Sequence, residues 1–129
     1  MYSVDLRTRD GHGHAIVELR GELDVSDAAA VVAAFELIVL RQPEIIVDLV
    51  GLEFIDSSGV AALARGRKLA RHAGGDLLLA SPRREVLRVL TVTRLIDIFP
   101  VHASVDEAAG HARRTAAARA GRPGLTVAT

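Results

Sequence analysis

The chain has no cysteine, so neither a disulfide framework nor a thiolate metal site can form. It has no charge imbalance either. Lys and Arg total 16 and Asp and Glu total 16, and without a net field neither nucleic acid nor an anionic membrane surface is favoured as a partner. No apolar run approaches the length of a membrane span. Met1 is followed by the charged, alternating segment Asp5 to Arg9, where a leader would carry a basic start and an apolar block. A cytoplasmic compartment is therefore expected. There is no internal repeat, and 129 residues, half of them hydrophobic, fit one domain able to bury its own core.

What is present is most concentrated at Phe54-Ile55-Asp56-Ser57-Ser58-Gly59-Val60. An apolar run stops there and a helical pattern begins. The first turn of a helix leaves backbone N–H groups unpaired and carries the positive end of the dipole, which suits an Asp or Ser cap and equally suits a phosphate on serine. Capping by Asp56 or Ser57 alone accounts for one polar residue. Three polar groups in a row, followed by a glycine that permits close approach, leave a functional turn open as the other reading.

The rest of the chain reads as alternating strands and helices. Tyr2, Val4, Leu6 and Thr8 alternate with polar residues, Gly11-His12-Gly13 turns, and Ala15, Val17 and Leu19 alternate again, which predicts an N-terminal hairpin. His12 and His14 lack further ligands nearby and read as surface-loop histidines; no metal is expected. Asp24-Val25-Ser26-Asp27 offers caps before a helix over Ala28 to Leu40, ended by Pro43, so Asp24 is a cap or an interface residue. Ile45 to Val50, up to Gly51, reads as a central strand covered on both faces, followed by a loop and a helix from Ser57 to about Ala73. That helix carries a narrow buried stripe of Ala62, Gly66, Leu69 and Ala73. Its Arg67 and Arg71 mark either a solvated face or one that meets acidic residues of a partner.

Gly74-Gly75 stops the helix, and Leu77 to Ala80 form a short buried strand. Pro82 opens a helix with Val86, Leu87, Val89 and Leu90 as its apolar face. Ile96, Ile98, Phe99 and Val101 suggest an edge strand limited by Pro100. A last helix runs from the Ser104 cap to about Arg114, with Glu107 at capping-box spacing. Residues 1–114 form the domain, and 115–129, with Gly121, Pro123 and Gly124, are expected to be a loose tail. The fold class is α/β: one mixed, mostly parallel sheet with an N-terminal β-hairpin and helices packed on it.

Gly21-Glu22-Leu23-Asp24, Ile46-Val47-Asp48-Leu49 and Phe54 to Gly59, in this order and spacing, resemble the motifs of the STAS family, specifically its bacterial anti-sigma factor antagonists. Gly74-Gly75 before Leu77-Leu78-Leu79 and the Ile98-Phe99-Pro100-Val101 segment extend the similarity from about Tyr2 to Ala112. Thr91-Val92-Thr93 departs from it, since the family often has a glycine between that helix and strand. The resemblance implies a protein that binds an anti-sigma factor with serine kinase activity, releases a sigma factor, and is switched off when Ser57 is phosphorylated. Ser58 matches the family's second hydroxyl position, as a supporting group or a second candidate acceptor. Asp24 and Asp56 match acidic positions near that turn, and Gly59 and Arg67 complete the expected partner surface. No cofactor is implied, and reversal by a phosphoprotein phosphatase is left open.

Two rival classes are weighed against this. A hydrolase nucleophile at Ser57 would need glycine where Ile55 stands, and no Gly-rich phosphate-binding loop with Lys and Ser/Thr is present, so the chain resembles a kinase substrate and not a kinase. A STAS module that senses a ligand or scaffolds other signalling proteins stays open on sequence alone.

Overall fold

The computed structural model describes residues 4–120. Tyr2 and the Gly121, Arg122, Pro123 and Gly124 part of the expected tail lie outside the described residues. In chain order the elements are β1 (Val4–Asp10), β2 (Ala15–Leu23), α1 (Val25–Arg41), β3 (Glu44–Ile55), α2 (Ser57–His72), β4 (Asp76–Ala80), α3 (Arg84–Val92), a 3₁₀ turn (Leu95–Asp97), β5 (Val101–His102) and α4 (Val105–Ala120). The sheet order is β1-β2-β3-β4-β5. The β1–β2 pair is the expected antiparallel hairpin, and the other three pairings are parallel. A strand–helix–strand connection that returns parallel must cross over, so α1, α2 and α3 each lie between consecutive strands.

The alternation of β3 and β4 divides the core. Ile45, Val47, Leu77 and Leu79 point into the larger cluster, to which α1 adds Val31 and Phe35, α2 adds Val60, Leu63 and Ala70, and α3 adds Val86 and Leu90. Ile46, Leu78 and Ala80 point the other way, under Ala108, Ala109 and Ala112 of α4. The central strand is thus covered on both faces, as its unbroken apolar run predicts.

Four expectations about elements are corrected. β3 does not give way to a loop at Gly51 but continues to Ile55. Its pairing with β2 slips by one residue between Glu18 and Arg20 and again between Gly21 and Glu22, so β3 carries two bulges. Each bulge adds a residue, and the buried positions Leu49, Leu52 and Ile55 come three apart instead of two, which hides the strand from a period-two reading. The buried face of α2 is Gly59, Val60, Ala62, Leu63, Gly66 and Ala70, while Leu69 is half-buried and Ala73 is exposed. After α3 the chain makes a 3₁₀ turn, and β5 starts only after Pro100, whose missing N–H cannot serve the ladder. Finally, α4 continues past Arg114 to Ala120. Its Thr115-Ala116-Ala117-Ala118 stretch contains three residues of the highest helix propensity, and Arg119 pairs with Glu44 of β3 at 2.6 Å.

Among the described residues Gly13, Gly21, Gly74, Ser81 and Arg94 have positive φ. Gly74, at φ +94°, takes the left-handed position after α2, and Gly75 N–H then bonds the Ala70 carbonyl at 2.9 Å. A Cβ on Gly75 would fall 2.1 Å from the Pro43 carbonyl oxygen. Arg94, at φ +65°, adopts the left-handed conformation directly after the Thr91-Val92-Thr93 stretch.

His14 is not a surface-loop histidine. It is 6% exposed, with its ring over Gly11, whereas His12 is exposed. Among the described residues no group of three or more His, Cys, Asp or Glu could hold a metal ion. Burial holds the His14 pKa below its usual 6.5, and Arg113 adds to the effect, against a hydrogen bond to the His12 backbone that favours the protonated ring and opposes it. His102 is lowered too, by burial and then by the neighbouring His111. As pH falls through 6.5 the unfolded chain takes up these protons before the folded one, so stability falls. Unfolding free energy is expected to fall between pH 7.5 and 5.5, by no more than about 1.4 kcal/mol per pH unit for each histidine, and the melting temperature to drop with it. His14→Gln should flatten that slope, whatever it does to stability at pH 7.5. Glu44 opposes at lower pH: burial raises its pKa above 4.5 against the pull of Arg119, so its protonation favours the folded state.

Candidate functional site

β2 and β3 are parallel neighbours whose last residues, Leu23 and Ile55, lie in register. An aspartate follows each strand in extended conformation and caps the next helix. Asp24 Oδ1 accepts the Ser26 N–H at 2.9 Å, and Asp56 Oδ1 accepts the Gly59 N–H at 2.9 Å. The Asp56 N–H donates to the Leu23 carbonyl at 3.2 Å, which ties the two strand ends together. The starts of α1 and α2 therefore emerge side by side at the carboxyl edge of the sheet, the usual place for sites in α/β proteins.

Gly59 sets how closely α2 can sit on that edge. It is buried, and a Cβ there would fall 2.7 Å from the Leu23 carbonyl oxygen and 2.6 Å from Ile55 Cγ1. Ser57, the first helical residue, is exposed, and Ser58 is half-buried. Ser58 lines a shallow hollow of about 210 Å³ between the helices with Ala28, Ala29, Val32, Ala61 and Ala62. Because Asp56 performs the capping, the Ser57 hydroxyl is left with no hydrogen bond among those of the described residues. The structure thus brings Asp24, Asp56, Ser57, Ser58 and Gly59 together on one rim. That rim offers an exposed hydroxyl, first-turn backbone donors and two carboxylates, a set able to accept a phosphoryl group and to present a polar contact surface.

Arg67 does not join them. Ten residues further along α2, at 1.5 Å per residue, it lies about 15 Å down the helix from Ser57. Its Nε bonds Asp76 Oδ1 at 3.0 Å, Nη1 donates to the Ile98 carbonyl, and the guanidinium lies 5.3 Å from the centre of the Phe99 ring. Only 16% of the side chain is exposed. The structure therefore does not bring Arg67 to the rim with the other expected contact residues: its guanidinium is engaged inside the fold, where it fastens the segment after the 3₁₀ turn to α2 and β4.

Sequence reasoning passed over Val25 and the side chain of Phe54, which are 71% and 47% exposed at the same edge. The second β3 bulge turns Phe54 outward. The available signal was a large apolar residue next to a capping aspartate in each strand-to-helix turn.

A family model described as STAS domain matches residues 3–108. The chain is 35% identical over 102 residues to the anti-sigma F factor antagonist of Paenibacillus polymyxa, a match that covers 78% of this chain and 87% of that protein. It is 32% identical over 103 residues to the anti-sigma-F factor antagonist RsfA of Mycobacterium tuberculosis, covering 72% of this chain and 75% of the relative. Among solved structures, the crystal structure of an anti-sigma factor antagonist from Mycobacterium paratuberculosis is similar with a TM-score of 0.76 at 27% identity, covering 86% of this chain and 95% of that one.

Proposed function

Since this chain belongs to the STAS family, we propose that it acts as an anti-sigma factor antagonist: it binds an anti-sigma factor with serine kinase activity, releases a sigma factor, and is switched off by phosphorylation of Ser57. The observation that carries this reading is the division of roles at the start of α2, where Asp56 caps the helix and Ser57 stands exposed with its hydroxyl unengaged. The relatives' role as antagonists of anti-sigma factors supports it. The chain is a regulator on this reading and not an enzyme. Asp24, Asp56, Ser57, Ser58 and Gly59 form the contact rim, and the place of action is the cytoplasm. With no net charge there is no field to draw the domain directly onto nucleic acid.

The switch is electrostatic. A phosphate adds about −1.5 to −2 charges at neutral pH, which the first turn of α2 tolerates in the free protein. Pressed against a partner, the same phosphate must be desolvated beside two carboxylates, and the complex is disfavoured. Restoring the active form takes a phosphoprotein phosphatase. The test is phosphate incorporation with the cognate anti-sigma factor and ATP. Ser57→Ala should lose essentially all of it and Ser58→Ala should keep it. Normal uptake by Ser57→Ala would overturn the assignment.

A further inference from the structure

α1 is apolar nearly all round. Its inner side packs Val31 and Phe35 into the core, yet Leu37 is 67% exposed and Leu40 is 81% exposed on the outer side. The outward residues Ser26, Ala30, Ala33, Leu37 and Leu40 are spaced by four, three, four and three, the alternation of a coiled-coil seam. Among the described residues, nothing covers this surface helix with its heptad seam and two bare leucines.

Size and charge along the seam indicate what covers it. The small residues lie in its first half and the leucines in its second. Two antiparallel copies in a layered register set each Leu37 on the other copy's Ala33 and each Leu40 on the other copy's Ala30. Large then meets small at every apolar layer, while a parallel pairing would stack leucine on leucine at one end and leave alanines gapped at the other. The charges agree. The amino-terminal end of α1 carries Asp24 and Asp27, and the carboxyl end carries Arg41, which makes no ion pair among the described residues. Antiparallel pairing brings each Arg41 within a turn of the other copy's Asp27 and opposes the two helix dipoles. We propose that this face of α1 is a homodimer interface, formed by a second copy of the same chain in antiparallel register.

Sedimentation velocity of the full chain across a concentration series tests it. The expected result is a shift from a 13.7 kDa monomer to a dimer, with Leu37→Glu plus Leu40→Glu weakening association by about a hundredfold or more. Both leucines are exposed, so the variant should melt like the parent. The natural absence of cysteine permits a register test: Ala33→Cys mixed with Leu37→Cys should cross-link faster on oxidation than either variant alone. A monomer at all concentrations up to about 100 μM, or a dimer indifferent to both glutamates, overturns the proposal. So does a monomeric parent whose affinity for the anti-sigma factor falls in the glutamate variant, since the face then belongs to that partner.

Discussion

Ser57→Asp is expected to weaken binding to the anti-sigma factor by tens- to thousands-fold while leaving the melting temperature of the free chain within a few degrees of the parent. The fold should tolerate the change because Ser57 is the exposed first residue of α2 and the cap hydrogen bond belongs to Asp56. A carboxylate there gains about 0.3–1 kcal/mol from the helix dipole and loses a similar amount to Asp56 beside it. In the complex the balance changes. An uncompensated charge buried at an interface costs on the order of 2–5 kcal/mol, and each 1.4 kcal/mol is tenfold in affinity. Aspartate carries one charge where phosphate carries nearly two, so its effect should fall toward the lower end. Calorimetric titration alongside a thermal melt separates the possibilities. Unchanged affinity would remove Ser57 from the interface, and a collapse of the melt would make the turn structural.

The other large effect is expected where α1 crosses α2. Phe35 is fully buried, and a Cβ on Gly66 would fall 2.5 Å from its Cδ2. Phe35→Ala should cost about 3–5 kcal/mol, a large part of the 5–15 kcal/mol that holds an ordinary domain together. Gly66→Ala tests the fit from the other side. On helix propensity alone it would stabilise by about 1 kcal/mol, but overpacking against the ring should outweigh that and leave a net loss of about 1–2 kcal/mol. Combined with Phe35→Leu, which frees space, Gly66→Ala should cost less than it does alone, by a coupling of 0.5 kcal/mol or more. Urea denaturation of the four proteins measures it. A Gly66→Ala variant as stable as the parent, or perfect additivity, would show that the ring and the glycine do not set the spacing of these helices. That spacing also places the starts of α1 and α2 beside each other, so antagonist activity should follow stability in this series.

What was legible in the sequence was what local chemistry determines. Asp24 before Ser26 and Asp56 before Gly59 are capping arrangements closed within three residues; the second placed the start of α2 at Ser57, while the surplus of caps before α1 put its start at Ala28, three residues past the true one at Val25. The hairpin and the doubly covered run of β3 were legible because their periods are regular. The bulges were not, since a register slip depends on β2, some thirty residues earlier in the chain. The internal partners of Arg67 were hidden for the same reason. Asp76 is nine residues away and the Ile98 carbonyl thirty-one, so nothing adjacent in sequence shows that the guanidinium is engaged. His14 looked like loop chemistry because it directly follows the Gly11-His12-Gly13 turn, yet Gly11 makes the room in which its ring is buried.

On the proposed phosphorylation of Ser57, the separation between the capping carboxylate of Asp56 and the hydroxyl next to it bears on how long a signal lasts. Had the serine held the helix, esterifying it would have loosened the first turn and marked the modified form for faster proteolysis. Because a neighbour does the holding, the two chemical forms should be cleared at equal rates. The ratio between them would then store the recent history of kinase and phosphatase activity for as long as the protein itself survives.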